Sequence, residues 1–170
     1  LGGLIMALSI IIMTLTTVIP IASFAFPAVA GVILVILSLE TSKKWAFLVY
    51  IGVSLLSIFL SSDHTAIISY IVFFGYYPIL KEVIEKLRKS VLEWIIKYAV
   101  FNAAIIIGVL ITFALFGLEY LMAEYGQFGI IGIAAFYLGV NGVFAVYDIA
   151  LSRVITVIII RVLPILRKLK

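Results

Sequence analysis

The sequence predicts an all-α polytopic membrane protein: six transmembrane helices, with an amphipathic cytoplasmic linker helix between the fourth and the fifth. Three observations lead there. Of 170 residues, 66% are hydrophobic and 12% charged, against roughly 25% charged in a soluble domain. Apolar runs approaching the length that crosses a bilayer recur along the chain. Charge is dense in only one long interval, 81–97, KEVIEKLRKSVLEWIIK, which leaves four apolar stretches before it and two after. No hydrophilic block is long enough for a second domain, so a single transmembrane domain over 1–170 is expected.

The first span, 3–19, ends at Pro20, which cannot continue a helix. Gly3 and Ala7 form a small-xxx-small pair on which another helix can approach closely, inside this chain or from a partner. Thr14, Thr16 and Thr17 near its far end can bond back to their own helix or meet a ligand. Two prolines bracket the apolar and aromatic residues of 20–27, the mark of a re-entrant or interfacial turn. A second span over 28–39 follows, closed by Glu40-Thr-Ser-Lys-Lys44. Ser42 is a candidate cap for the third span, 46–60, and Trp45 suits an interfacial anchor. Ser61-Ser-Asp63-His64 is a tight turn in which Asp63 or Ser62 caps the fourth span, 65–80. Pro78 removes a backbone bond to Phe74 and should bend that helix near its end.

In the linker, Ile84, Leu87, Val91, Ile95 and Tyr98 gather on one helical stripe, as in a helix lying along a membrane surface. Glu82/Lys86, Glu85/Lys89 and Glu93/Lys97 each place the acid four residues before the base, the favourable order for helical ion pairs. Ser90 with Glu93 fits a capping box, so a new helix is expected to begin there. The fifth span, 98–118, holds Asn102 and an Ala104/Gly108 pair. A loop over 119–127, a sixth span over 128–151 and a basic, largely apolar tail over 152–170 complete the chain.

Charge sets the orientation. With the N-terminus in the cytoplasm, six spans deliver Lys43, Lys44, the 81–97 cluster and the basic tail to one side, while the opposite loops hold no Lys or Arg. The expected location is therefore the plasma membrane, multi-pass, with both termini cytoplasmic. The sequence pI near 9.3 reflects these topological clusters, so no nucleic-acid partner is expected; the lipid bilayer is.

Polar side chains at membrane depth are costly and so mark candidate sites. Tyr137, Asn141, Asp148 and Ser152 lie within about 60° of one another on an ideal helix, a stripe expected to face the bundle. Asn141 offers either an interhelical hydrogen bond or a ligand contact. Asp148, near the cytoplasmic boundary, is expected to pair with a Lys or Arg. On the other side, Asp63, His64, Glu119, Glu124, Tyr125 and Gln127 supply acceptors and an aromatic face. The chain has one histidine and no cysteine, which rules out a multi-histidine metal site, thiolate ligands and a cysteine nucleophile. No H-E-x-x-H, G-x-S-x-G or P-loop pattern occurs. No catalytic residue, metal or cofactor is expected, and any ATPase must be another chain.

Six spans with both ends inside, a first helix opening LGGLIMALS and a proline-containing first external loop resemble, in layout across the whole chain, the substrate-binding S components of energy-coupling factor (ECF) transporters. The resemblance implies capture of a small solute, a vitamin or its precursor, from outside, with the 20–27 loop as a lid. It implies Asp63, His64, Glu124, Tyr125, Tyr137 and Asn141 as the pocket and Gly3/Ala7 as the docking surface for a transmembrane coupling subunit. That subunit, with two ATPases, would drive release inside. A second resemblance in layout, to small scaffolds of the MreD type, implies instead that the 81–97 helix and the basic tail bind partner proteins and that no pocket is needed. An enclosed pocket with several polar side chains near the outer face favours the first; a solidly packed outer half, with an exposed groove elsewhere, favours the second.

Overall fold

A computed structural model describes residues 1–19, 22–125 and 129–168, the side chains of 124, 125, 130 and 166–168 excepted. The described residues form helices α1 (Gly2–Leu15), α2 (Ala25–Glu40), α3 (Lys43–Leu60), α4 (His64–Ser69), α5 (Tyr77–Ile84), α6 (Ser90–Tyr125), α7 (Gly129–Val157) and α8 (Leu163–Lys168), with no strand among them. Four segments are long and apolar enough to cross a membrane: Lys43–Leu60, His64–Leu87, Ser90–Ala123 and Ile131–Ile165. With 14 and 16 residues, α1 and α2 are also apolar but shorter, spanning about 21 and 24 Å where a hydrocarbon core is ~30 Å thick.

Local chemistry fixes most boundaries. Ser42 caps α3 by accepting from the Trp45 amide, and Asp63 caps α4 by accepting from the Ala66 amide at 3.0 Å, leaving fewer orphan donors at each N-terminus. The segment from His64 onward is interrupted by a π turn at Tyr70–Phe74, and α5 restarts with Pro78 in its first turn. That is the position where proline's missing N–H costs nothing. The Tyr50 hydroxyl donates to the Ile71 carbonyl within the π turn at 2.6 Å.

The 81–97 interval is not one helix. Its first part prolongs α5 into a 3₁₀ turn at Glu85–Leu87, the chain reverses at Arg88, and α6 begins at Ser90. Arg88 has φ 54°, the one positive φ outside glycine among the described residues, so a left-handed turn divides the two halves of the expected stripe. The fifth span's expected end is marked by Gly117, with φ 81° and ψ 176° inside α6, a region essentially closed to other residues. Beyond it the helix resumes over 118–125, where the sequence predicts a loop. The last span continues past 151 through a π turn at Ile158–Val162 into α8, so the basic tail prolongs the helix.

Two cores result. Ile5, Met13, Ala30, Leu34, Leu37, Ala46 and Val53 pack α1, α2 and α3 together, joined by Ala66, Tyr70 and Ile79 of the fourth segment. Phe73, Tyr77, Phe101, Ala104, Phe144 and Leu151 join that same segment to α6 and α7. At the seam, α2 lies so close to the π turn that a Cβ on Gly31 would strike the Phe74 carbonyl. Most of α6 and α7 is otherwise bare: Ile106, Leu110, Leu138 and Val146 are each about 60–70% exposed, as expected for surfaces solvated by lipid.

Candidate functional site

Between the start of α2, α4, and the facing sides of α6 and α7 lies a cavity of about 590 Å³. Phe24 and Ala28 of the α2 end, Ile68 and Val72 of the fourth segment, Gly108 and Thr112 of α6, and Phe136 and Val140 of α7 form its walls. Tyr120 and Leu121, beyond the Gly117 break, line it as well. Among the described residues, 24 line it; nine of these are Phe or Tyr, and none is Asp, Glu, Lys or Arg. An aromatic floor closes it: Phe101 and Phe144 stack at 4.3 Å, Phe73 stacks on Tyr77 at 4.5 Å, and Phe73 meets Phe101 edge-on at 5.1 Å. Such pairs hold their geometry by ring quadrupole as well as by burial.

Beneath the floor the chemistry changes. The Tyr77 hydroxyl donates to Asp148 Oδ1 at 2.7 Å, Lys81 Nζ reaches the same oxygen at 2.5 Å, and Lys97 Nζ donates to Asp148 Oδ2 at 2.8 Å. Both lysines also bind Glu85 Oε1, at 2.8 and 2.9 Å. Lys81 is fully buried, and Lys97 and Asp148 nearly so. Two cations and two carboxylates cancel, so the cluster ties α5, α6 and α7 together without net charge. Nearby, Glu82 accepts from Ser38 at 3.4 Å and pairs with Lys43 at 3.3 Å, linking α2 and α3 to the same basic end. The opposite end is held by hydroxyls: Thr16 and Thr17 of the segment after α1 meet Ser61 at 3.2 and 3.4 Å.

The sequence-derived site residues distribute unevenly over this frame. His64 lines the cavity, exposed at its edge with its ring edge-on to Phe116 at 5.3 Å. Asp63 is a helix cap and does not line the cavity. Tyr137 and Asn141 are not among its lining residues and form an interhelical clasp, one of the two roles expected for Asn141: Asn102 Nδ2 donates to Asn141 Oδ1 at 3.1 Å, and the Tyr137 hydroxyl donates to Asn102 Oδ1. Tyr137 is 47% exposed, Asn141 is half-buried against Asn102 and Asp148 is buried, so the stripe faces the bundle with its cover thinning toward Tyr137. The side chains of Glu124 and Tyr125, and residues Pro20, Ile21, Gly126, Gln127 and Phe128, lie outside the described residues. Gly3 and Ala7 are exposed on α1, and a Cβ on Gly3 would meet nothing within 4 Å. Asp148 pairs with lysines as expected, yet the identity of its partners, Lys81 and Lys97, and the aromatic walls go beyond what the sequence predicts. The available signals are the Tyr77/Lys81/Glu85 spacing on one helix face and the recurrence of Phe at 73, 101 and 144 in three spans.

Comparison with profiles of known protein families, with curated proteins and with solved structures finds no match to this chain.

Proposed function

We propose that this protein is the solute-capturing subunit of a membrane transporter, holding a vitamin-sized molecule in the cavity between α2, α4, α6 and α7. The observation that carries the reading is the cavity itself: about 590 Å³, within the range of roughly 300–1,000 Å³ typical of small-molecule sites. In this reading α1 and α2 act as shorter spans completing a six-span protein of the plasma membrane, with both termini cytoplasmic. The lysine cluster then lies inside and the cavity opens toward the outer half, consistent with the Lys/Arg-free stretches around Asp63 and Glu119.

Uptake driven by ATP would need a transmembrane coupling subunit and ATPases in other chains, as in the ECF layout. The exposed Gly3/Ala7 face of α1, unused by packing within the chain, supports such docking. A scaffold of the MreD type needs no such cavity, and the volume between α2, α4, α6 and α7 is what supports capture over it. No enzymatic role is proposed: among the described residues the lining presents a single imidazole and no carboxylate or thiol beside it. The deciding experiment is native mass spectrometry of gently purified protein. A co-purifying small molecule lost on filling the cavity supports capture; partner proteins with no small molecule in any preparation would overturn it.

A further inference from the structure

Resting on that capture reading, we propose that the cavity selects an uncharged ligand with an apolar, ring-bearing body, its polar atom turned toward the His64–Thr65 edge. A charged ligand entering this space would leave water and find no counterion, because no lining residue among those described carries a formal charge. Asp63 precedes the lining His64 but caps α4 through Oδ1 and does not itself line the space. The buried cluster beneath the floor is unavailable. Both oxygens of Asp148 are taken, one by Tyr77 and Lys81 and the other by Lys97, and the stacked Phe73, Phe101 and Phe144 rings stand between this cluster and the cavity.

Deep polar contacts are scarce too. Ser69 donates its hydroxyl proton to the Ala66 carbonyl and Thr112 donates to the Gly108 carbonyl, both at 2.9 Å, so these lining hydroxyls are spent on their own helices. Tyr147 lines the floor, but its hydroxyl oxygen exposes less than 1 Å² and offers nothing to a guest. His64, Thr65 and Tyr120, all exposed, remain as the other polar lining groups. What the interior does offer is ring faces and edges, which favour planar or aromatic guests over flexible chains that must surrender rotamer entropy.

The test is photolabelling of the full chain in phosphatidylcholine nanodiscs with three benzophenones: the neutral 4-hydroxymethyl compound, the anionic 4-carboxylate and a cationic 4-trimethylammoniomethyl derivative. Adducts are mapped by peptide mass spectrometry. The 4-hydroxymethyl probe is expected to concentrate on peptides covering 64–74 and 101–112, and the charged probes to label there about tenfold less. Gly108→Phe and, independently, Thr112→Phe are expected to abolish that labelling; at Gly108 a Cβ meets only Val72 and Ile68 at ordinary contact distance, 3.6 and 3.8 Å. Leu110→Phe, on the bare face of α6, should leave it unchanged. A carboxylate or ammonium probe that labels the lining as well as the neutral one would overturn the charge rule while leaving capture standing. Labelling by all three confined to bare faces, as when lipid chains fill the space, would overturn both.

Discussion

Asp148→Asn is the most informative single change. The carboxylate is 2% exposed and balances Lys81 and Lys97 jointly with Glu85, whose side chain is 39% exposed. Neutralising Asp148 leaves two buried ammonium groups sharing one carboxylate, and it turns an amide N–H₂ toward one of three donors that now converge on two acceptor oxygens. Breaking a buried pair by removing one partner costs about 3–5 kcal/mol, chiefly because the remaining charge is stranded. The three donors act on one group, so the loss should fall in that range and not at the sum of three separate bonds. It can be measured by SDS titration of the protein in mixed micelles, followed by far-UV circular dichroism. The second arm removes the excess charge: Asp148→Asn with Lys97→Gln leaves Lys81 and Glu85 as a neutral pair at 2.8 Å. The double variant should recover at least about half of the loss. A single variant within about 0.5 kcal/mol of the parent, or a double variant less stable than the single, would refute the idea that charge balance holds α5, α6 and α7 together.

Three further outcomes follow from other contacts. Gly31→Ala should destabilise by ~1–3 kcal/mol or more in the same titration, since its Cβ meets backbone at Phe74 and a carbonyl cannot rotate aside as a side chain can. Asn102→Ala or Asn141→Ala should cost less, about 0.6 and at most ~1.7 kcal/mol, the range for hydrogen bonds between helices in a membrane; a loss above about 3 kcal/mol would point to a deeper role. Asp63→Ala should lower stability by about 0.5–2 kcal/mol while Asp63→Asn stays near the parent, because the cap needs an acceptor and not a charge. Equal losses in both would favour an ionic role for this carboxylate.

Much of the frame can be read from composition and local chemistry. Hydropathy locates the helices, Ser42 and Asp63 announce their caps, Pro78 marks the restart of α5 and Ser90 the start of α6. The 81–97 interval misleads because helical periodicity persists across a left-handed residue: Ile84 and Val91 keep register on paper, and only the φ of Arg88 separates them. Lys81 and Lys97 look solvated in the sequence because their partner, Asp148, lies 67 and 51 residues away in the chain. On α7, Tyr137 and Asp148 do share a face; what differs is the cover. Tyr77, Lys81 and Lys97 enclose Asp148, whereas Tyr137 meets only the Asn102 side of α6. The cavity is hidden for a simpler reason. Polarity is what singles out site candidates in a membrane sequence, and these walls are mostly hydrocarbon and aromatic rings, which sequence reading assigns to core.

The glycine that interrupts α6 sits at an instructive altitude. From Ser90, directly after Arg88 and Lys89, to Gly117 the chain climbs about 40 Å at 1.5 Å per residue, close to the roughly 40–45 Å from one headgroup layer to the other. In the membrane-spanning reading proposed above, peptide groups at the break would lie among phosphates and water, where hydration can satisfy them. Two turns lower, level with Leu110 on the bare face of the same helix, an identical interruption would strand those groups in oil at several kcal/mol apiece.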